Sequence, residues 1–211
     1  MKITVLGANG GTGTEIVHQA LAAGHDVTAV VRDPAKMPGD LRDRVDLVTA
    51  DPMNAGDLRD AVAGRDVVLT AIGGREMRAP TSVCADSIRA VIAALGARGR
   101  LVMVSNSAMA PGPGDDSFTR FVVKPLILRP LLRGALADMA EAELHLRNSS
   151  LDWTVVRAGR LTDGQGKGRY RSAVDRNVLG GFQIGRANLA TAMLDAAGNP
   201  ASIGQVISVA N

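Results

Sequence analysis

The sequence predicts a single α/β domain over residues 1–211, built on a doubly wound, mostly parallel sheet. Three observations lead there. Short β-branched runs alternate with helix-like stretches along the chain, the pattern of strands joined by crossover helices. These runs are chiefly apolar rather than regularly alternating, as expected of strands covered on both faces. A chain of 211 residues, 46% hydrophobic and 21% charged, can bury one sizeable core, and no repeat or linker divides it.

Strands are expected at Ile3–Leu6, Val27–Val31, Val45–Val48, Val67–Ile72, Leu101–Val104, Trp153–Val156 and Val206–Val209. Between the first two, Ile16, Val17, Ala20 and Leu21 form one apolar helical face that Gly24 closes. Leu58, Ala61 and Val62 repeat the pattern before Gly64. The longest helix is predicted over Thr81–Ala97, another over Ala135–Arg147 and a last over Ala187–Ala197. Gly73–Pro80, Ala108–Ser117 and Ala158–Asp175 read as loops at strand carboxyl ends, the edge where open parallel sheets bind ligands. The third carries Gly159, Gly164, Gly166 and Gly168, a composition suited to folding over a substrate.

Composition narrows the partners. The formal charge is +3, with basic residues spread along the chain, and aromatics are 2%. That bias suits a small anionic ligand, is too weak for a DNA surface, and leaves few rings on which bases could stack. Cys84 is the single cysteine, so no internal disulfide forms and a reducing, cytoplasmic setting is expected. No apolar run has the length of a membrane span. His18, His25 and His145 have no second His or Cys at ligand spacing, so no metal site is predicted.

The strongest local signal is Gly7-Ala8-Asn9-Gly10-Gly11-Thr12-Gly13, set between the first strand and the first helix. Glycines at 7, 10 and 13 permit a tight turn, close approach to a diphosphate and tight strand–helix packing. The free amides of the helix then face the anion, where the dipole favours negative charge. The spacing is Gly-x-x-Gly-x-x-Gly rather than the dinucleotide fingerprint Gly-x-Gly-x-x-Gly. Gly13-Thr14 lacks the lysine of a nucleoside-triphosphate loop. A Rossmann-type dinucleotide site follows.

At the end of the second strand stands Val30-Val31-Arg32-Asp33, with Lys36 a turn later. An NAD site places a carboxylate here for the ribose 2′-hydroxyl. A guanidinium instead grips a 2′-phosphate, and an ammonium adds charge. Arg32 and Lys36 therefore predict NADPH (NADP+), against the alternative that Asp33 takes the hydroxyl.

Lys2–Gly13, Val31-Arg32-Asp33, Ala71-Ile72-Gly73-Gly74, Val104-Ser105-Asn106-Ser107-Ala108 and Leu144-x-x-Arg147-x-x-Ser150-Leu151-Asp152-Trp153-Thr154 together resemble the atypical short-chain dehydrogenase/reductases. Within them the chain is most similar to the small NAD(P)H-binding group that includes biliverdin-IXβ reductase, also called flavin reductase. The resemblance covers nearly the whole length. It implies that Gly7, Asn9, Gly10, Thr12 and Gly13 line the diphosphate and that Arg32 and Lys36 meet the 2′-phosphate. It sets Asp51 and Pro52 beside adenine, and passes Ala71, Ile72 and Gly73 under the ribose and nicotinamide. Ser105 to Ser107 lie near the nicotinamide, Ser107 matching an active-site serine. The chain departs from the pattern at Arg157-Ala158-Gly159, where Arg-Pro-Gly is common, and at Asn188, where Asp is common.

The Tyr-x-x-x-Lys pair of typical short-chain dehydrogenases is missing. Tyr170 is the one tyrosine, and Val174 stands four residues on. Alcohol dehydrogenation thus loses its proton carrier. A flat conjugated acceptor such as a flavin, quinone or tetrapyrrole delocalises the charge left by hydride and takes protons from water, so protein supplies position and cofactor supplies chemistry. Ser107 is the candidate to hydrogen-bond the nicotinamide or acceptor, or else merely ends its strand. The alternative is a non-catalytic NADP(H) sensor of the NmrA-like kind, and a sugar-nucleotide epimerase ranks below both. Cys84 reads as a buried small residue. Asp138, Glu141 and Glu143 read as a solvated helix face. Arg120, Lys124, Arg129 and Arg133 flank the apolar stretch 121–132, as an attractor for an acidic substrate or partner or as simple amphipathic packing.

Overall fold

The computed structural model describes residues 1–74, 76–109, 111–164 and 169–211. Gly166 and Gly168 of the glycine-rich stretch lie outside the described residues. In chain order the elements are β1 (Lys2–Leu6), α1 (Gly11–Ala22), β2 (Asp26–Val31), α2 (Gly39–Arg42), β3 (Asp46–Thr49), α3 (Ala55–Val62), β4 (Val67–Thr70) and α4 (Val83–Leu95). There follow β5 (Arg100–Asn106), α5 (Arg129–Leu131), α6 (Arg133–Arg147), β6 (Asp152–Ala158) and β7 (Arg160–Thr162). β8 (Arg171–Val174), β9 (Gln183–Gly185), α7 (Arg186–Gly198) and β10 (Gln205–Ala210) complete them, and a π-helical segment, Thr119–Leu128, leads into α5.

Eight strands form one sheet in the order β3-β2-β1-β4-β5-β6-β10-β8, parallel except for β8, which runs antiparallel to β10. This is the Rossmann arrangement, an α/β fold whose strand order reverses between β1 and β4. All seven expected strands lie in this sheet.

Successive residues of β1 point to opposite faces. Ile3 and Val5 join a core with Ile16, Val17 and Ala20 of α1 and Leu189 and Met193 of α7. Leu6 joins the other core, with Leu58 of α3, Ile88 and Val91 of α4, and Ala142 and Leu146 of α6. Both faces are covered, which is why the strands lack polar alternation.

Two departures from expectation concern long-range pairing, and a stretch given no element from the sequence proves helical. The stretch expected as a loop, Ala158–Asp175, contains β7, which pairs in parallel with β9, and β8, which adds to the sheet edge. Their sequences, Arg-Leu-Thr and Arg-Ser-Ala-Val, are too short and polar to read locally as strands. The stretch 121–132 is helical, with Pro125 inside the π-helical segment. Asp138 and Glu143 are not solvated: they are 2% and 3% exposed.

Asp138 reaches from α6 to the N-terminus of α4, its Oδ2 accepting from the Cys84 amide at 3.0 Å and its Oδ1 from Ala85 at 2.8 Å. A carboxylate there meets unpaired amides and the positive end of the helix dipole. Glu143 accepts from Arg157 Nε at 2.9 Å and Nη2 at 2.7 Å, and from Arg147 Nη2 at 3.1 Å. It thereby ties α6 to β6. Asp138→Ala leaves two buried amides without a partner and lowers the unfolding free energy by about 3 kcal/mol. Urea titration measures this; a loss under about 1 kcal/mol would show that the capping is dispensable.

Candidate active site

The reversal between β1 and β4 opens a crevice at the strand carboxyl ends, where the glycine turn sits. Gly7 has φ +75°, the left-handed region that favours glycine. Its carbonyl accepts from the Gly10 amide at 2.9 Å. A Cβ at Gly13 would run into that same carbonyl, so α1 crosses β1 at a separation only glycine allows. A Cβ at Gly7 would press on the Ala71 carbonyl and the Ile72 side chain at 3.3 Å. The turn and the segment after β4 thus form one wall. No side chain caps α1, whose N-cap is Gly10, and no acidic residue stands in its first turn. This cradle fits a dinucleotide diphosphate: close backbone approach, and a helix N-terminus with neither a side-chain cap nor an acidic first turn among the described residues.

Arg32 is exposed directly beyond the end of β2. Asp33, the rival for the ribose hydroxyl, is engaged elsewhere. Its side chain accepts from the Ala35 amide at 3.1 Å and pairs with Lys36 at 3.1 Å. The Lys36 ammonium, followed by the Ala35 amide, holds the Asp33 carboxyl below the usual range. Asp51 and Pro52 lie on the neighbouring turn after β3, where Asp51 accepts from the Met53 amide at 3.0 Å.

Beside the crevice lies a cavity of about 690 Å³. Its rim on the sheet side is Gly73 and Gly74 after β4, Asn106 at the end of β5 with Ser107 after it, and Arg160 and Leu161 of β7. Val123, Leu128, Leu131 and Leu132 of the π-helical segment and its continuation, with Met139 of α6 and Phe182, make the remainder largely apolar. Ser107 opens the turn Ser107–Met109 and faces this space. Ser105 is buried, its hydroxyl donating to the Met109 thioether at 3.8 Å. Ser107 and Gly73 thus border the cavity, while Gly7–Gly13 and Arg32 lie along the crevice.

Arg186 was not singled out from the sequence, and Lys124 and Tyr170 stand in surroundings the sequence did not foretell. Arg186, the first residue of α7, lies over the glycine turn, its Cδ and Nε 2.8 Å from where a Gly11 Cβ would stand, and pairs with Asp163. A cation opening the last helix, after a strand too short to recognise, gave no local signal. Lys124, read from the sequence as an attractor for an acidic substrate or partner or as amphipathic packing, is 5% exposed and pairs with Asp115 at 2.9 Å. Tyr170 does not border the cavity: it donates to Asp195 at 2.7 Å, and burial first, then Asp195, pushes its hydroxyl up.

Cys84 is buried and donates to the Ile72 carbonyl at 3.7 Å, beneath the crevice. Burial, reinforced by the Asp138 charge, pushes its thiol up to about 12. A folded pKa above the unfolded 9.0 means that its stabilising contribution is whole below pH 9 and is lost as pH rises towards 12. At about pH 8 Cys84 should react with Ellman's reagent only as fast as the fold opens, and immediately in denaturant. Rapid labelling of the native protein would contradict this burial.

Comparison with known proteins accords with this geometry. A family model described as NAD(P)H-binding matches residues 7–200. The uncharacterised protein YwnB of Bacillus subtilis is 28% identical over 208 residues, covering 95% of this chain and 93% of its own. A short-chain dehydrogenase/reductase of Veillonella parvula, solved in complex with NADP, superposes with a TM-score of 0.78 at 21% identity, over 100% of this chain and 94% of that one. A proposed NADH-flavin reductase of Streptococcus pneumoniae gives 0.77 at 24% identity, over 100% and 99%. At those identities the solved structures speak for the fold. The family model spans the glycine turn and most of both cores, and the chain belongs to the NAD(P)H-binding family.

Proposed function

We propose that this protein binds NADPH and passes hydride to a flat conjugated acceptor: a flavin, quinone or tetrapyrrole. The observation that carries the reading is the large, mainly apolar cavity that meets the coenzyme crevice at Gly73 and Ser107. A planar ring system loses apolar surface to such a space and needs few directed polar contacts. The flavin-reductase name of the streptococcal neighbour points the same way.

In this reading Gly7, Asn9, Gly10, Gly11, Thr12 and Gly13 hold the diphosphate, with the Arg186 guanidinium beside them. Arg32 meets the 2′-phosphate, Lys36 adds charge, and Asp51 and Pro52 border adenine. Ala71, Ile72 and Gly73 pass beneath the ribose and nicotinamide, with Ser105 near the end of the neighbouring strand β5. Ser107 orients the nicotinamide amide or the acceptor. The bound nicotinamide supplies the hydride; the chain supplies alignment and excludes water.

Two measurements test this. Mixing protein, NADPH and a panel of FMN, quinones and biliverdin should deplete the nicotinamide absorbance. Tight NADPH binding without turnover across the panel would instead favour a non-catalytic sensor. Arg32→Ala should weaken NADPH binding by about 1.5–3 kcal/mol, the worth of a charged hydrogen bond, and leave NADH binding nearly unchanged. Equal weakening of both coenzymes, by calorimetry, would overturn the 2′-phosphate assignment.

A further inference from the structure

The apolar cavity contains one feature that packing does not explain. Lys124 projects from the π-helical segment into its wall, with a side chain 6% exposed, against an Asp115 side chain 5% exposed. Around Asp115 a polar cluster is assembled: its Oδ2 accepts from Lys124 Nζ at 2.9 Å, Asn177 Nδ2 at 2.9 Å and the Gly112 amide at 3.1 Å. The loop is clamped as well. The Asn177 amide donates to the Pro113 carbonyl at 2.8 Å, and Gly114, at φ +89°, packs so closely on Asn177 that a Cβ there would strike its carbonyl.

Stability is a poor reason for this arrangement. A buried ion pair usually contributes less than apolar side chains of similar volume, because desolvation offsets the attraction. An ammonium carries three protons, and the Asp115 contact satisfies only part of that capacity. Lys124 also lies in the space where the acceptor would be held, in a chain without the Tyr-x-x-x-Lys pair. Burial draws its ammonium below the usual lysine range; the Asp115 hydrogen bond and charge oppose that, and the Arg157 charge adds to it. A lysine so placed gives up a proton nearer neutrality than one in water.

We propose that Lys124 is the proton donor to the acceptor, a conjugated carbonyl compound whose oxygen lies against its Nζ. The inference rests on the reductase reading above and deepens it. Hydride from the reduced nicotinamide forms a bond to an electrophilic ring atom of the acceptor. The displaced electron pair comes to rest on the conjugated oxygen. That oxygen takes a proton from Lys124: an O–H bond forms, an N–H bond breaks, and the neutral amine regains its proton from solvent. The nicotinamide is oxidised by two electrons and the acceptor reduced by two. Asp115 is a positioning residue, holding the ammonium on the cavity wall.

The experiment uses the full chain with NADPH, 1,4-naphthoquinone as acceptor, and its anionic 2-hydroxy derivative as a binding probe. Lys124→Met should lower kcat about a hundredfold, the worth of a general acid, and weaken binding of the anionic probe about tenfold or more. Lys124→Arg keeps the cation but cannot release a proton near neutrality. It should hold the probe nearly as well as the wild type while losing the rate. Wild-type kcat should fall as alkaline pH deprotonates Lys124, a limb both variants lack. The charged groups acting on Lys124 are Asp115 from the loop after β5 and Arg157 from β6. Asp116 lines the same cavity but accepts from the Thr119 amide and hydroxyl instead, so Asp116→Asn should leave that limb in place.

Wild-type rate and probe affinity in both variants, within about twofold, would overturn the inference while leaving the reductase reading intact. If Lys124→Met does not fold, by circular dichroism, Lys124→Arg and the wild-type pH profile decide. If the wild type reduces no acceptor, the reductase reading fails first. The proton-donor role then fails with it, whereas the probe still reports whether Lys124 holds an anionic ring.

Discussion

The contact between the Gly7 carbonyl and Gly13 sets the geometry of everything at the carboxyl edge of the sheet. It lets α1 begin directly over β1 with its first amides unpaired by any side chain. It also brings the turn against Ala71 and Ile72, so two neighbouring strand ends form one continuous wall. A larger side chain at either position would separate helix from strand and spoil both the anion site and the wall at once.

Around that edge the chain separates two kinds of recognition. The crevice side is backbone and cation: glycine amides, Arg32 beyond β2, Arg186 lying over Gly11. The cavity side is chiefly aliphatic, interrupted by a clamped polar cluster at Asp115, Lys124 and Asn177. Buried charges elsewhere have mechanical duties. Asp138 caps α4, and Glu143 grips Arg157 and Arg147 together, joining helix to strand. These carboxylates lie within one helix of the cavity, yet their hydrogen bonds are directed into the scaffold.

The parallel sheet and the glycine turn could be read from the sequence because their signals are local. Ala29–Val31 and Val67–Leu69 are continuous apolar runs, and the turn announces itself by glycine spacing between a strand and a helix. What escaped reading depends on partners distant in sequence. Nothing in Asp138 or Glu143 alone tells that they face α4 and β6 rather than water. Lys124 sits in a run bordered by other basic residues, and only folding brings Asp115 and Asn177 to it, the latter 53 positions later in the numbering. β7 and β9 are three residues each, and neither has a recognisable pattern until the other is beside it. Arg186 was hidden for the same reason, since its place over Gly11 follows from where β9 delivers the chain.

The excursion between β6 and α7 is fastened near both ends. β7 pairs with β9, Gly159 fits against the Phe182 carbonyl at a distance that excludes a side chain, and β8 zips onto β10. The stretch from Asn177 to Phe182 therefore borders the cavity between anchors at its own two ends, the Asn177 amide on the Pro113 carbonyl and the Phe182 carbonyl on the Arg160 amide. Drift in that span can resculpt the chamber while the coenzyme cradle, built at the opposite end of the chain, keeps its shape. On the proposed reading, changing that span would alter which molecule the chamber accepts while the coenzyme site stays as it is.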